Sequence, residues 1–355
     1  MSFLVPDLFW RLEPGVELEA DEAGRARALA LRTRFDEAQG MQDIADAAAA
    51  LRVRPEHRGK LAAIGYCLGG KLAWLAAADG VADCAIGYYG VGIETALDRA
   101  KDVAVPVLLH FGAADPYVPP AARAAIRAGL RGHAGIAIHD YAGAGHAFAR
   151  IGTAHYDRPA AMLAHSRSIA LLRAEMGPHY DLSALWDRHC EHEFVARDVD
   201  ATMRTMVAEP YVNHIPVMTG GVGQKHLARF YRHHFVHANP ADTRLIPVSR
   251  TIGADRVVDE MLFCFTHDRE INWMLPGIPP TGRKVEIPLV AIIHFRGDRL
   301  FNEHIYWNQA SVLVQIGVLD PAKVPAVAGV ETARKLLDPS LPSNTLMRRW
   351  ERSAG

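Results

Sequence analysis

The sequence predicts two unlike domains, a parallel α/β sheet over residues 1–178 and an α+β unit over residues 179–355. Length is the first reason: 355 residues are more than one hydrophobic core usually serves. The second is a first half that alternates short apolar runs with segments of helical composition. The third is a second half in which helices come first and long strand-like runs follow.

In the first half, Leu61–Tyr66, Cys84–Tyr89, Val105–Phe111 and Ile136–Tyr141 are short, apolar and strand-like. Such nearly continuous apolar strands belong to a parallel sheet covered on both faces. Gly70–Ala78, Pro119–Leu130 and Pro159–Met176 supply the helices, and an alanine-rich helix covers Ile44–Leu51. The second half starts with helical segments at Leu182–Arg197, Ala201–Ala208 and Gly223–His234. Thr243–Thr251, Val257–His267, Val285–Arg296 and Arg299–Asn308 then read as antiparallel strands of a curved sheet wrapped by those helices. "GPHYDLS", residues 177–183, marks the junction.

Composition narrows the function. A formal net charge of −1 favours neither nucleic acid nor an acidic membrane surface. No apolar run approaches the roughly 18 residues of a membrane span. The start, "MSFLVPDLFW", has no basic segment and carries Pro6 and Asp7 inside its apolar stretch, so it is a poor signal peptide. The four cysteines (Cys67, Cys84, Cys190 and Cys264) lack metal-ligand spacing and read as free thiols in a reducing cytoplasm. Cys84 and Cys264 lie in apolar runs, as core residues do.

The stretch that carries chemistry is Gly65-Tyr66-Cys67-Leu68-Gly69, between an apolar run and a helical segment. It has the form of a nucleophile elbow, with cysteine where serine is usual and glycines where the turn is tight. The alternative is a strand-to-helix turn that merely needs small residues. A helix N-terminus favours the reactive thiolate, and the Leu68 amide would face a developing oxyanion. In folds of this kind the acid and the base follow in chain order, on loops after later strands. Asp115 in "HFGAADPYVPP" and His146 in "YAGAGHAFAR" stand at two such strand ends. His146 would take the thiol proton and Asp115 would orient the imidazole. Taken singly, Asp115 also reads as a helix cap and His146 as an ordinary loop histidine.

Together "VPDLFWRLEPG", "IGYCLGGKLAWL", "AIGYYGVGIE", "GAADPYVPP" and "AGAGHAFAR" resemble the dienelactone hydrolase (carboxymethylenebutenolidase) family over residues 3–175. The resemblance implies an α/β hydrolase fold and a Cys-His-Asp enzyme that opens dienelactones to maleylacetate in the degradation of chlorinated catechols. Cys67, His146 and Asp115 match its triad. Arg25 and Arg150 match arginines that hold the substrate carboxylate, a task a guanidinium fork suits. Arg25 shares its segment with Arg27, Arg32 and Arg34 and also reads as part of a solvated helix face. Tyr89 lines the pocket or simply packs at a strand end. Arg32 stands where the family often has a tryptophan, a departure that bears on the substrate. The family also has several strands before the "PDL" motif, whereas this sequence begins almost at it. The expectation is therefore a sheet without its N-terminal strands and with one oxyanion donor fewer. Leu61–Tyr66 then becomes an apolar edge, and the expectation is either a longer protein, the favoured reading, or a degenerate domain supported by a partner.

"EPYVNHIPVMTGGVGQKHLARFYRHHF" and "PPTGRKVEIPLVAIIHFRGDRLFNEHIYWNQASVLVQIG" resemble SnoaL-like polyketide-cyclase proteins of the NTF2-like superfamily, over residues 182–320. This implies a cone-shaped α+β barrel around an apolar pocket, dimerisation through the sheet, and metal-free acid/base chemistry. The usual acid position reads Trp307-Asn308, and an asparagine is no general base near neutral pH. His214 of "YVNHIP", with Glu303 or His304, is left to supply that role.

No metal and no other cofactor is expected. His189 and His192, and likewise His233 and His237, can share a helix face, but no third ligand is fixed by spacing, and "RHCEHEF" reads as solvated and amphipathic. The sequence thus points to a cytoplasmic lactone or ester hydrolase acting through Cys67. Its partner is a small molecule rather than nucleic acid or membrane, and it forms a homodimer through the second domain. The competing reading is a binding or scaffolding protein with a degenerate hydrolase half and an apolar ligand pocket in its second domain, or a cyclase or isomerase acting there.

Overall fold

The computed structural model describes residues 3–353 apart from Ala20, Arg58 and Pro325. The chain forms two compact units, Met1–His179 and Tyr180–Gly355. No helix among the described residues is long and apolar enough to cross a membrane.

The first unit is built on four parallel strands, β1 (Ala62–Tyr66), β2 (Cys84–Tyr88), β3 (Val107–Gly112) and β4 (Ile136–Tyr141), in spatial order β1-β2-β3-β4. Every residue of β2 and β3 is buried, as unbroken apolar strands require. Successive side chains of β3 go to opposite faces: Leu109 and Phe111 join one core with Trp74 and Ile126, and Leu108 joins another with Phe148 and Leu172. Burying side chains of that size stabilises by about 1.5–3 kcal/mol each. Strand β1 pairs only with β2 among the described residues, and Ile64 and Tyr66 stay 40 % and 53 % exposed. The apolar edge expected from the sequence is therefore present.

The α-helices among the described residues of this unit are α1 (Glu22–Arg34), α2 (Glu37–Arg52), α3 (Leu68–Ala78), α4 (Pro120–Gly129) and α5 (Arg158–Met176). Helices α1, α2 and α5 open on aspartates, Asp21, Asp36 and Asp157, whose side chains accept from the amides of Gly24, Gln39 and Ala160. Helix α3 is apolar apart from Lys71 and buried from Leu72 to Ala78.

Among the described residues the second unit has six strands: β5 (Met206–His214), β6 (Thr219–Val222), β7 (Arg244–Ile252), β8 (Arg256–Thr266), β9 (Lys284–Arg296) and β10 (Arg299–Trp307), in order β6-β5-β10-β9-β8-β7. The β5–β10 pair is parallel and every other pair antiparallel. Alternate residues of β9 (Val285, Ile287, Leu289, Ala291 and Ile293) face the core, which is the period of a half-buried strand. The helices are α6 (Leu182–Cys190), α7 (Val199–Arg204), α8 (Gly223–Phe230), α9 (Gln309–Gln315) and α10 (Glu331–Leu337). Helices α6 and α8 each run on into a π-helical turn, Glu191–Val195 and Tyr231–Phe235.

One expected element is corrected. The helix read at Ala201–Ala208 stops at Arg204, and the chain enters β5 at Met206. Strand pairing decides this: Met206 aligns with Leu300, and Tyr211–His214 align with Asn302–Ile305 of β10. Neither β5 nor β6 stands out from its own composition.

Candidate active site

Strand β1 delivers Cys67 to a sharp turn. The residue holds φ 55° and ψ −117°, a conformation that an L side chain rarely adopts, and α3 begins at the next residue. The turn is locked by backbone bonds from Cys67 N to the Tyr88 carbonyl oxygen and from Gly70 N to the Cys67 carbonyl oxygen, each 3.0 Å. The two glycines of the elbow differ. A Cβ on Gly65 would lie 1.8 Å from the Gly69 carbonyl oxygen, whereas one on Gly69 would meet nothing within 4 Å. Gly70 is the second obligatory small residue, because a Cβ there would come within 2.7 Å of the Gly90 Cα.

The imidazole of His146 reaches this sulfur from the loop after β4. Its Nδ1 lies 2.8 Å from Asp115 Oδ2, which leaves Nε2 for the Cys67 thiol. Asp115 is 2 % exposed, and its other oxygen accepts from the Tyr117 amide at 2.8 Å. The carboxylate is thus aimed at the histidine and does not cap α4, whose N-cap is Pro119. Tyr89 and Tyr117 contact the imidazole ring edge-on, with centroids 5.0 and 4.8 Å away. Tyr89 and Ala147 also hold positive φ, 39° and 60°, so three strained residues surround one histidine.

Burial alone would raise the Cys67 thiol and lower the His146 imidazolium. The hydrogen bond between them, the Leu68 amide and the Arg32 charge reverse this for the thiol, which falls below its ordinary value. Asp115 and Cys67 push His146 up to about 9. The pair therefore favours thiolate and imidazolium.

A pocket of about 890 Å³ opens onto the pair, and Arg25, Arg32, Tyr117 and Arg150 stand in its walls. Arg25 bonds the Tyr117 hydroxyl. None of the three arginines is ion-paired with a carboxylate among the described residues. Tyr89 is not in the wall; it is 3 % exposed and packs behind His146, which corrects its reading as a pocket residue. Tyr117 was not anticipated, since nothing in "DPYVPP" marks a tyrosine that props both the imidazole and an arginine.

The second-unit candidates are only partly assembled. His214 (2 % exposed) and Glu303 (3 % exposed) line one small cavity. His214 is pushed down to about 4 by burial, so it is neutral. Trp307 packs on Trp273 and gives its indole N–H to Gln309 at 2.6 Å. Asn308 is not at that cavity; its side chain caps α9 by accepting from the Ser311 amide. His304 alternates to the opposite side of β10 from Glu303 and packs on Tyr211. The "RHCEHEF" segment is not uniformly solvated, since His189 and Glu193 are buried.

A family model described as the dienelactone hydrolase family matches residues 2–176, and one described as the SnoaL-like domain matches residues 186–303. The carboxymethylenebutenolidase of Pseudomonas sp. (strain P51) is 40 % identical over 171 residues, 48 % of this chain and 71 % of that protein. Carboxymethylenebutenolidase 1 of Cupriavidus pinatubonensis (strain JMP 134 / LMG 1197) is 39 % identical over 168 residues, 47 % of this chain and 71 % of that protein. Among solved structures, an NTF2-like protein of unknown function from Burkholderia pseudomallei K96243 is 16 % identical, with a TM-score of 0.32, over 39 % of this chain and 99 % of that one.

Proposed function

This chain belongs to the dienelactone hydrolase family and is an ester or lactone hydrolase; we propose that Cys67 is its nucleophile, His146 its acid and base, and Asp115 the carboxylate that orients the imidazole. One observation carries this reading: His146, hydrogen-bonded to the buried Asp115, and Cys67 on its elbow share the wall of one open pocket.

The thiolate of Cys67 attacks the acyl carbon, and the carbonyl oxygen takes up the negative charge opposite the Leu68 amide. Collapse breaks the acyl C–O bond. His146 Nε2–H protonates the departing oxygen, and a thioester remains. Water then attacks the thioester and gives a proton to Nε2. The second collapse expels the Cys67 thiolate and releases the carboxylic acid, which restores the starting ion pair. Asp115 stays ionised throughout and supports the imidazolium.

The substrate we propose is a small lactone that carries a carboxylate, of the dienelactone kind. Three pocket arginines without carboxylate partners suit such an anion, and Arg32 adds a cation beside the thiol. The second unit is proposed to dimerise the protein; sedimentation of the full chain as a monomer would remove that role.

The test is hydrolysis of dienelactone and of p-nitrophenyl acetate by the full chain and by Cys67→Ala, each shown to be folded. Turnover by the unaltered chain that vanishes in the variant is expected. Turnover that survives in the variant removes Cys67 from the mechanism, and none in either chain removes the assignment.

A further inference from the structure

The second unit buries a polar cluster that the hydrolase reading does not use. His189 on α6, Glu193 on the π-helical turn that continues it and Glu303 on β10 are 0 %, 3 % and 3 % exposed. His189 Nε2 lies 3.0 Å from Glu193 Oε1 and 3.2 Å from Glu303 Oε1. Helical spacing brings the first two together. Only the β10 strand, arriving from more than a hundred residues away, supplies the third.

Neighbouring hydroxyls fix the imidazole. Thr205 Oγ1 gives its proton to the Thr202 carbonyl oxygen at 2.6 Å, so it accepts from His189 Nδ1–H, also at 2.6 Å. The nitrogen turned to the two carboxylates is therefore Nε2, in the manner of a histidine oriented for an ion by its outer partner. The ligand atoms of the three residues all lie within 4.8 Å of one another. Two ligands on bonds of about 2.1 Å at a right angle stand about 3 Å apart, close to the separations from Nε2 to the two carboxylates.

Charge and volume select the occupant. An ion takes the place of the His189 Nε2 proton; the neutral imidazole and two carboxylates that then hold it carry a charge of about −2, which one divalent cation cancels. The adjoining cavity is about 40 Å³ and is walled by Glu193, Glu303, Tyr231 and His214 among aromatic side chains. An organic ligand usually needs about 300 Å³ or more, but an ion's bound water fits. His214 gives Nδ1–H to the Thr219 carbonyl oxygen at 3.1 Å, and its Nε2 has no partner among the described residues. His214 belongs to the wall of the same cavity.

We propose that His189, Glu193 and Glu303 bind one divalent first-row transition-metal ion per chain, with His214 accepting a hydrogen bond from an ion-bound water. The mixed nitrogen and oxygen set suits zinc or manganese. Glu303 is the third ligand that sequence spacing did not reveal.

The test is titration of the metal-free full chain with Co²⁺, followed through its visible d–d bands, and displacement by Zn²⁺. Saturation at one ion per chain is expected, with binding weakened at least about 100-fold in Glu193→Gln and in Glu303→Gln at unchanged far-UV circular dichroism. Exposed histidines such as His233 and His237 give binding that both variants retain, and that result overturns the site. Absence of d–d bands up to about 1 mM Co²⁺ overturns it as well. Should Glu303→Gln not fold, Glu193→Gln and the unaltered chain still decide the question.

Discussion

Each unit sets a cysteine and a histidine among carboxylates, with opposite results. In the first, His146 draws the Cys67 thiol below its ordinary pKa. In the second, Cys190 follows His189 in the chain, but the imidazole turns to Glu193 and Glu303. Burial and those two carboxylates push the Cys190 thiol well above its ordinary value. Proximity to a histidine therefore does not activate a thiol. A donated hydrogen bond does, where no second anion competes for the imidazolium. Access differs too, since one centre opens on about 890 Å³ and the other on about 40 Å³.

The largest expected effect breaks the comparison at the sulfur. Cys67→Ala lowers dienelactone turnover by at least about 10⁴-fold, whereas Cys190→Ala leaves it unchanged; peptide mapping after iodoacetamide should find Cys67 labelled and Cys190 spared. Asp115→Asn comes next. It keeps the shape but holds the imidazole in the wrong tautomer, and kcat is expected to fall by about 10³–10⁴.

Third, His189→Ala leaves two buried carboxylates without their cation and costs about 3–5 kcal/mol. The melting temperature of the second unit should fall by about 10 °C. Gly65→Ala and Gly69→Ala sharpen the elbow itself. The first has no room for its methyl group and should lose activity with the turn, by about 100-fold or more. The second places a methyl in open space on a helix and should stay within about threefold of the unaltered chain.

The smallest effect is in pH. His110 is fully buried and pushed down to about 3, first by burial. Its folded pKa lies below the unfolded value, so its stabilisation of the first unit is present above about pH 6.5 and fades as pH falls toward 3, by about 2 kcal/mol at pH 5. For His189 burial alone would lower the pKa, but the two glutamates hold it up at about 10. Its contribution is complete below about pH 6.5 and is lost as pH rises through 10. Hydrogen exchange read separately over the two units should show the first loosening in acid and the second in alkali. Parallel behaviour of both units would contradict these surroundings.

Local signals were enough for much of this. The apolar strands β2 and β3 announce a covered parallel sheet because every residue in them is buried. The elbow and its two partners are legible because each sits in a turn motif at the end of a strand, where backbone geometry constrains composition. Strands β5 and β6 were not legible, since pairing with β10 and with each other holds them rather than any pattern of their own. The role of Asn308 as the cap of α9 was not legible either, since it depends on where the helix starts. The sequence by itself determined the order of domains, the position of the thiol on its turn and the strand-end positions of Asp115 and His146, because these follow from short-range periodicity and turn chemistry. Only the tertiary structure decided that Tyr89 packs behind His146, that Tyr117 braces both His146 and Arg25, and that Glu303 completes a buried cluster with His189 and Glu193. Those contacts join residues far apart in the chain, and no local spacing encodes a distance of 3 Å across a folded core.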